Sequence, residues 1–165
     1  MSKVIDLAPE FPGAVWHSDG SGTAITDANG TIRAEGGGQK NRYRMLSTVD
    51  ILKDFTLQVE VRLPADFASW NATSVEIDFR TKSTDSDDQA LDVSVCRNTN
   101  SANFTSTDNV STTAEQWAVL SLTDGEMTYN STSWYNTDTL LLKLKPKSKN
   151  SNYVEIGRIR IRHNT

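Results

Sequence analysis

The chain has 165 residues, of which 36% are hydrophobic and 23% charged, and a formal net charge of −4. Such a length is expected to form one domain with a core that needs no disulfide or metal, and the single cysteine, Cys96, rules out an intrachain disulfide. The acidic balance argues against nucleic acid as a partner through bulk electrostatics, and no apolar run approaches the roughly 18 residues of a transmembrane helix.

In chain order, residues 1–13 read as an arm. Val4, Ile5 and Leu7 are apolar, and Pro9 and Pro12 punctuate the stretch. Such an arm either crosses its own sheet or docks on a neighbour. It has no apolar run of signal-peptide length, which predicts a chain kept in a cytoplasm or exported without a cleaved signal. Residues 14–165 read as a single β-sandwich domain. Residues 23–26 and 31–34 flank Asp27-Ala28-Asn29-Gly30, and Asn29-Gly30 favours a tight hairpin turn. Gly36-Gly37-Gly38 lacks the Lys and Ser/Thr of a P-loop and reads as a bent loop. A strand is expected over 41–47, then a turn through 50–54.

Strict alternation marks the middle of the chain. Phe55, Leu57, Val59, Val61 and Leu63 take every second position until Pro64. Val75, Ile77 and Phe79 alternate with Glu76, Asp78 and Arg80; Leu91, Val93 and Val95 alternate with Asp92, Ser94 and Cys96. Residues 97–116 read as a long loop with a short strand near Phe104. Another strand covers 117–122, ends at Thr123-Asp124-Gly125, and pairs with 126–130. A loop carrying Trp134 and Tyr135 precedes a closing hairpin. There Leu140, Leu142 and Leu144 alternate with Lys143, Lys145 and Lys147, and Ile159 and Ile161 alternate with Arg158, Arg160 and Arg162.

Many short strands, each with one apolar face, must stack or close. The expected fold is all-β: an antiparallel two-sheet β-sandwich, jelly-roll-like, with few or no helices. An up-and-down barrel is the runner-up. Opposite charges favour neighbouring strands. The final strand is therefore expected beside 55–63, with Arg158 and Arg160 near Glu60, and the lysine strand near an edge.

Glu76-Ile77-Asp78-Phe79 resembles the start of the Glu-x-Asp-x-(x)-Glu strand of retaining β-glucanases. The second glutamate of that pattern is replaced by Arg80 and Thr81, so the carboxylate pair of retaining hydrolysis is incomplete and a degenerate glycosidase is the least favoured reading. The acidic stretch Asp85-Ser86-Asp87-Asp88 lacks the glycine and distal glutamate of an EF-hand loop, which favours a solvated loop over a calcium site. His17 and His163 lie far apart in sequence, and Cys96 reads as a structural thiol. No enzyme activity, metal or cofactor is expected. Trp16, Trp70, Trp134 and Tyr135 lie in or beside predicted loops, off core parity. Three roles compete for them: capping the ends of the core, anchoring a protein interface, or stacking on a sugar ring.

The closing Tyr153-Val154-Glu155-Ile156-Gly157-Arg158-Ile159-Arg160-Ile161 is similar to the last strand of non-catalytic jelly-roll modules. These include carbohydrate-binding modules and the accessory or decoration proteins of phage virions. The leading expectation is a structural virion protein, a bacteriophage capsid decoration or accessory protein assembled in the host cytoplasm. It would dock on other virion proteins or further copies of itself through the arm 1–13 and a sheet edge or loop end. This reading rests on the cysteine-poor, signal-free chain, its Ser/Thr/Asn-rich loops, its native termini and the lack of an active site. The alternative is a lectin-like carbohydrate-binding module that contacts glycan through Trp134, Tyr135 and Trp70. Neither reading involves nucleic acid or membrane.

Overall fold

The alternating strands bury their apolar faces by stacking in two layers. A computed structural model describes residues 1–9, 11, 15–17, 28–33, 41–99 and 101–165. Among these residues the strands form two antiparallel six-stranded sheets, so the fold is an all-β, jelly-roll-like β-sandwich and not a closed barrel. The first sheet has the order β10 (Ala118–Thr123), β7 (Ser69–Thr81), β12 (Asn152–Asn164), β4 (Arg42–Ser47), β3 (Ala28–Arg33), with β1 (Ser2–Leu7) also on β12. The second has the order β2 (Val15–His17), β6 (Thr56–Arg62), β11 (Thr139–Ser148), β8 (Gln89–Arg97), β9 (Phe104–Asn109), with β5 (Lys53–Asp54) also on β11.

Each sheet is built on one long central strand. β12 has β7 along one side; on the other, β4 covers Asn152–Ile156 and β1 covers Ile159–Asn164. β11 has β8 along one side, with β6 and then β5 on the other. The core lies between them. Leu57, Val59, Leu91, Val93, Val95, Leu140, Leu142 and Leu144 from the second sheet meet Val75, Ile77, Phe79, Val154, Ile156, Ile159 and Ile161 from the first. Each such side chain contributes about 1.5–3 kcal/mol when fully buried.

β12 keeps both its halves apolar inward by a bulge. Its register against β7 shifts between Ile156 and Ile159, so the inward parity changes from even to odd numbers. Gly157 sits at this shift beneath the Trp117 ring. A Cβ there would lie 2.9 Å from Trp117 Cζ3 and 3.2 Å from Asp78 Cβ, too close for any larger residue without displacement.

Several sequence expectations are corrected. Residues 140–163 are not a hairpin: β11 and β12 belong to different sheets. The link between them crosses from one layer to the other, with Asn150 and Ser151 at left-handed φ of 54° and 60°. The final strand does not pair with 55–63, which lies in the second sheet. The charge complementarity is real, but its acidic partners are Glu76 and Asp78 on β7: Arg160 Nη2 lies 2.7 Å from Asp78 Oδ1 and Arg162 Nη2 lies 2.6 Å from Glu76 Oε2. The lysine strand is central, not an edge. Lys145 pairs with Asp54, and Lys147 with Asp92 and Asp108, so the cations are neutralised within the sheet.

Residues 126–130 do not pair with β10. A helical turn, α1 (Asp124–Met127), follows it instead. Thr123 Oγ1 accepts from the Glu126 amide while the Glu126 carboxylate accepts from the Thr123 amide, a reciprocal cap that outcompetes a hairpin. Asn29-Gly30 is not a turn: the pair lies within β3, in register with Leu46 and Met45. The expected strand at 23–26 and the triple glycine at 36–38 lie outside the described residues. The N-terminal segment pairs with its own sheet through β1, and the Phe11 amide donates to Tyr43 Oη at 2.8 Å.

Candidate functional site

The carboxylates that resembled a glycosidase strand are committed to arginines. Glu76 accepts from Arg162, and Asp78 from Arg160. Arg80, at the position where that pattern would place its acid/base, donates to Glu155 instead. In the acidic loop, Asp88 pairs with Lys149 at 3.3 Å, and Asp85 accepts from the Asp87 amide. Among the described residues no group of three or more His, Cys, Asp and Glu is placed to hold a metal. Cys96 is fully buried, and burial pushes its thiol pKa up, away from nucleophilic reactivity.

The outer face of the second sheet offers a different surface. Strand parity places Gln58 and Glu60 of β6, Thr139 and Leu141 of β11, and Cys96 of β8 on this face, opposite the core. At the end where β11 begins, Gln58, Glu60, Asn98, Thr99, Thr139 and Leu141 line an open cleft of about 310 Å3. The wall offers amide, hydroxyl and carboxylate groups around one apolar patch. Glu60 is its one carboxylate among these lining residues.

Asp138 organises the rim. The residue is 3% exposed. Arg97 Nε donates to Oδ2 at 2.7 Å, the Tyr135 amide donates to Oδ2 at 2.7 Å, and Asn98 Nδ2 donates to Oδ1 at 2.5 Å. Burial alone would raise the Asp138 pKa, but the hydrogen bonds from Arg97, Asn98 and the Tyr135 amide outweigh it, and the carboxyl stays below its ordinary range. The same bond to Asp138 raises the Arg97 pKa. Asn98, at φ 56°, also accepts from the Thr139 amide at 2.7 Å. One buried carboxylate thus fixes a cleft residue, Asn98, and an aromatic residue, Tyr135. Tyr135 is 58% exposed, and the Arg97 guanidinium lies 5.3 Å from its ring centroid.

The four aromatic residues singled out from sequence separate here. Tyr135 alone among the three with described side chains presents an open ring. Trp70 and Trp134 belong to the core, 6% and 8% exposed, which corrects the expectation that they lie off core parity. Trp70 stands on β7, and its ring meets Trp134 edge-on at 5.2 Å. The backbone of Trp16 lies on β2, in register with Leu57. Arg97, Asn98 and Asp138 carried no signal in the sequence, because their contacts join segments about forty residues apart.

No protein-family model and no characterised protein sequence matches the chain. Solved structures do resemble it. The chain is similar to the carbohydrate-binding module TmCBM61, solved in complex with β-1,4-galactotriose, at 12% identity over 93% of this chain and 89% of that one, with a TM-score of 0.55. It is also similar to the family 11 carbohydrate-binding module of the cellulosomal cellulase Lic26A-Cel5E of Clostridium thermocellum, at 8% identity over 90% of this chain and 85% of that one, with a TM-score of 0.47. At these identities the likeness concerns the fold: the chain shares the jelly-roll-like β-sandwich of carbohydrate-binding modules.

Proposed function

We propose that this protein is a non-catalytic carbohydrate-binding module that holds an oligosaccharide on the outer face of its second sheet, in the cleft between Gln58, Glu60, Asn98 and Thr139 and against the Tyr135 ring. The observation that supports this reading is the polar, open cleft, whose Asn98 is held by the same Asp138 carboxylate that accepts from the backbone amide of the exposed Tyr135. A sugar presents hydroxyls at its edge and C–H groups on its faces. Amide, hydroxyl and carboxylate groups match the first and an aromatic face matches the second. The single lining carboxylate, Glu60, supports binding without hydrolysis, since glycoside cleavage uses two. The fold likeness to a module complexed with β-1,4-galactotriose makes β-linked oligosaccharides the first ligands to try. Neither the fold nor the comparisons favour the virion-accessory reading.

Affinity electrophoresis and calorimetry against a panel of soluble β-linked glycans test the proposal. Wild type binds at least one, and Tyr135→Ala weakens that binding tenfold or more, a loss of about 1.4 kcal/mol, with unchanged thermal stability. Equal affinity in wild type and Tyr135→Ala, or no binding across the panel, counts against it.

A further inference from the structure

The arginines with described side chains pair with carboxylates, with one exception. Arg42, Arg44 and Arg80 converge on Glu155, Arg97 holds Asp138, and the arginines of β12 hold Asp6, Glu76 and Asp78. Arg62 is exposed and has no hydrogen-bond, ion-pair or ring partner among the described residues. Glu60, two residues earlier, is likewise exposed and unpaired, so these two opposite charges do not bridge to each other.

The place of Arg62 gives its free guanidinium a use. Strand parity puts Gln58, Glu60 and Arg62 of β6 on the outer face, since Leu57 and Val59 are buried in the core. Arg62 stands directly opposite Thr139 of β11, a residue of the cleft wall. It therefore lies at the edge of the proposed glycan site. The backbone around it is tied to the same rim. Asn98 accepts from the Thr139 amide at 2.7 Å, and the Leu63 amide donates to the Asp138 carbonyl at 2.9 Å. Along the strand, Glu60 and Arg62 are about 7 Å apart, close to the span of one sugar unit.

A guanidinium without a counter-charge is suited to a carboxylate, which it binds through two parallel hydrogen bonds. The whole chain carries a net charge of −4, so a preference for an acidic glycan has to come from a local cation and not from the bulk field. Within the cleft Glu60 sets the opposite condition. It accepts from sugar hydroxyls and repels a carboxylate at its own position. The two charges together describe a ligand with a neutral unit in the cleft and an acidic unit beside it.

We propose that the face site is selective for β-linked glycans that contain uronate, with Arg62 binding the carboxylate of the sugar unit next to the one held at Glu60 and Thr139. This names the ligand class of the function proposed above and rests on that reading.

The test is calorimetry at low ionic strength with matched pairs of soluble oligosaccharides. Cello-oligosaccharides and β-1,4-galacto-oligosaccharides are each compared with the same chains after part of their C6 hydroxymethyl groups are oxidised to carboxylates. Wild type is expected to bind at least one partly oxidised chain tenfold or more tighter than its neutral parent, and the preference shrinks at high salt. Arg62→Gln removes the preference, so that both forms bind alike, and leaves thermal unfolding unchanged because the side chain has no partner to lose. Tyr135→Ala weakens both forms. Equal affinity of wild type for parent and oxidised chains overturns the proposal, as does a preference that survives Arg62→Gln. Either result leaves the face site standing if the neutral parent still binds and Tyr135→Ala weakens it. No binding of any chain, or binding untouched by Tyr135→Ala, overturns the face site and this proposal with it.

Discussion

Replacing Glu155 with glutamine lowers the unfolding free energy by about 3–5 kcal/mol, the cost of removing one partner from a buried ion cluster. For a chain of this size that corresponds to a fall in Tm of about 6–20 °C. Glu155 is fully buried although it lies on the outer face of β12. Arg44 of β4 and Arg80 of β7 stand opposite it in register, one on each side. Arg42 Nε donates to Oε1 and Arg80 Nε to Oε2, both at 2.7 Å, and Arg44 lies 3.7 Å from Oε1. The arginines are in turn covered by rings. Arg44 lies 4.1 Å from the Tyr153 centroid, and Arg80 lies 5.4 Å from that of Trp117. Glutamine keeps the shape but withdraws the negative charge from Arg42, which is only 3% exposed. Arg158 provides the contrast. It pairs with Asp6 at 3.3 Å, and both side chains are about half exposed, so Arg158→Ala changes stability by no more than about 1 kcal/mol. Urea and thermal unfolding of the two variants check this. Equal stabilities would show that the cluster is not structural.

Asp138→Asn weakens both the fold and the binding face. The substitution exchanges one acceptor oxygen for an amide nitrogen facing donors from Arg97, Asn98 and the Tyr135 backbone. Lost hydrogen bonds to a charged group are worth about 1.5–3 kcal/mol, and oligosaccharide affinity falls about tenfold, or about 1.4 kcal/mol, as Tyr135 and Asn98 lose their anchor. The pH dependence carries a sign that tests the same point. The Asp138 pKa is lowered in the folded protein. Its stabilisation is therefore present above the ordinary carboxylate value of about 3.9 and is lost as pH falls through the lower folded value. Wild type loses this increment in acid below about pH 4. Asp138→Asn lacks it at every pH, so the gap between the two narrows on acidification. A gap that stays constant down to acid would mean that Asp138 is not ionised in its site.

The layers of this fold were legible because alternation is a local property. Residues 55–63, 75–80, 91–96 and 140–144 each state which face is inward without reference to any partner. Pairing is not local. Arg160 is compatible with Glu60 or with Glu76, and only the path of the chain between layers decides. The turn at 149–151 reads alike whether it closes a hairpin or crosses the sandwich. Thr123-Asp124-Gly125 read only as the end of a strand, and the reciprocal hydrogen bonds between Thr123 and Glu126 explain why a helical turn replaces the expected strand. The site was legible only in part. Tyr135 stood out as an aromatic residue in a polar loop, whereas Asp138, Arg97 and Asn98 became a unit only when β8 and β11 were placed side by side. Trp70 and Trp134 take the core-capping role among the three that competed for them, which the sequence alone could not select because loop-flanking tryptophans look the same whether they cap a core or face solvent.

The most direct test of the central claim is a residue-resolved NMR titration of wild type with the best-bound β-linked oligosaccharide. Glycan binding on the second sheet predicts that backbone and side-chain shifts concentrate at Gln58, Glu60, Asn98, Thr99, Thr139, Leu141 and Tyr135. Shifts confined to the opposite face, around Glu76, Asp78 and Arg160, or no shifts with any glycan, would contradict it.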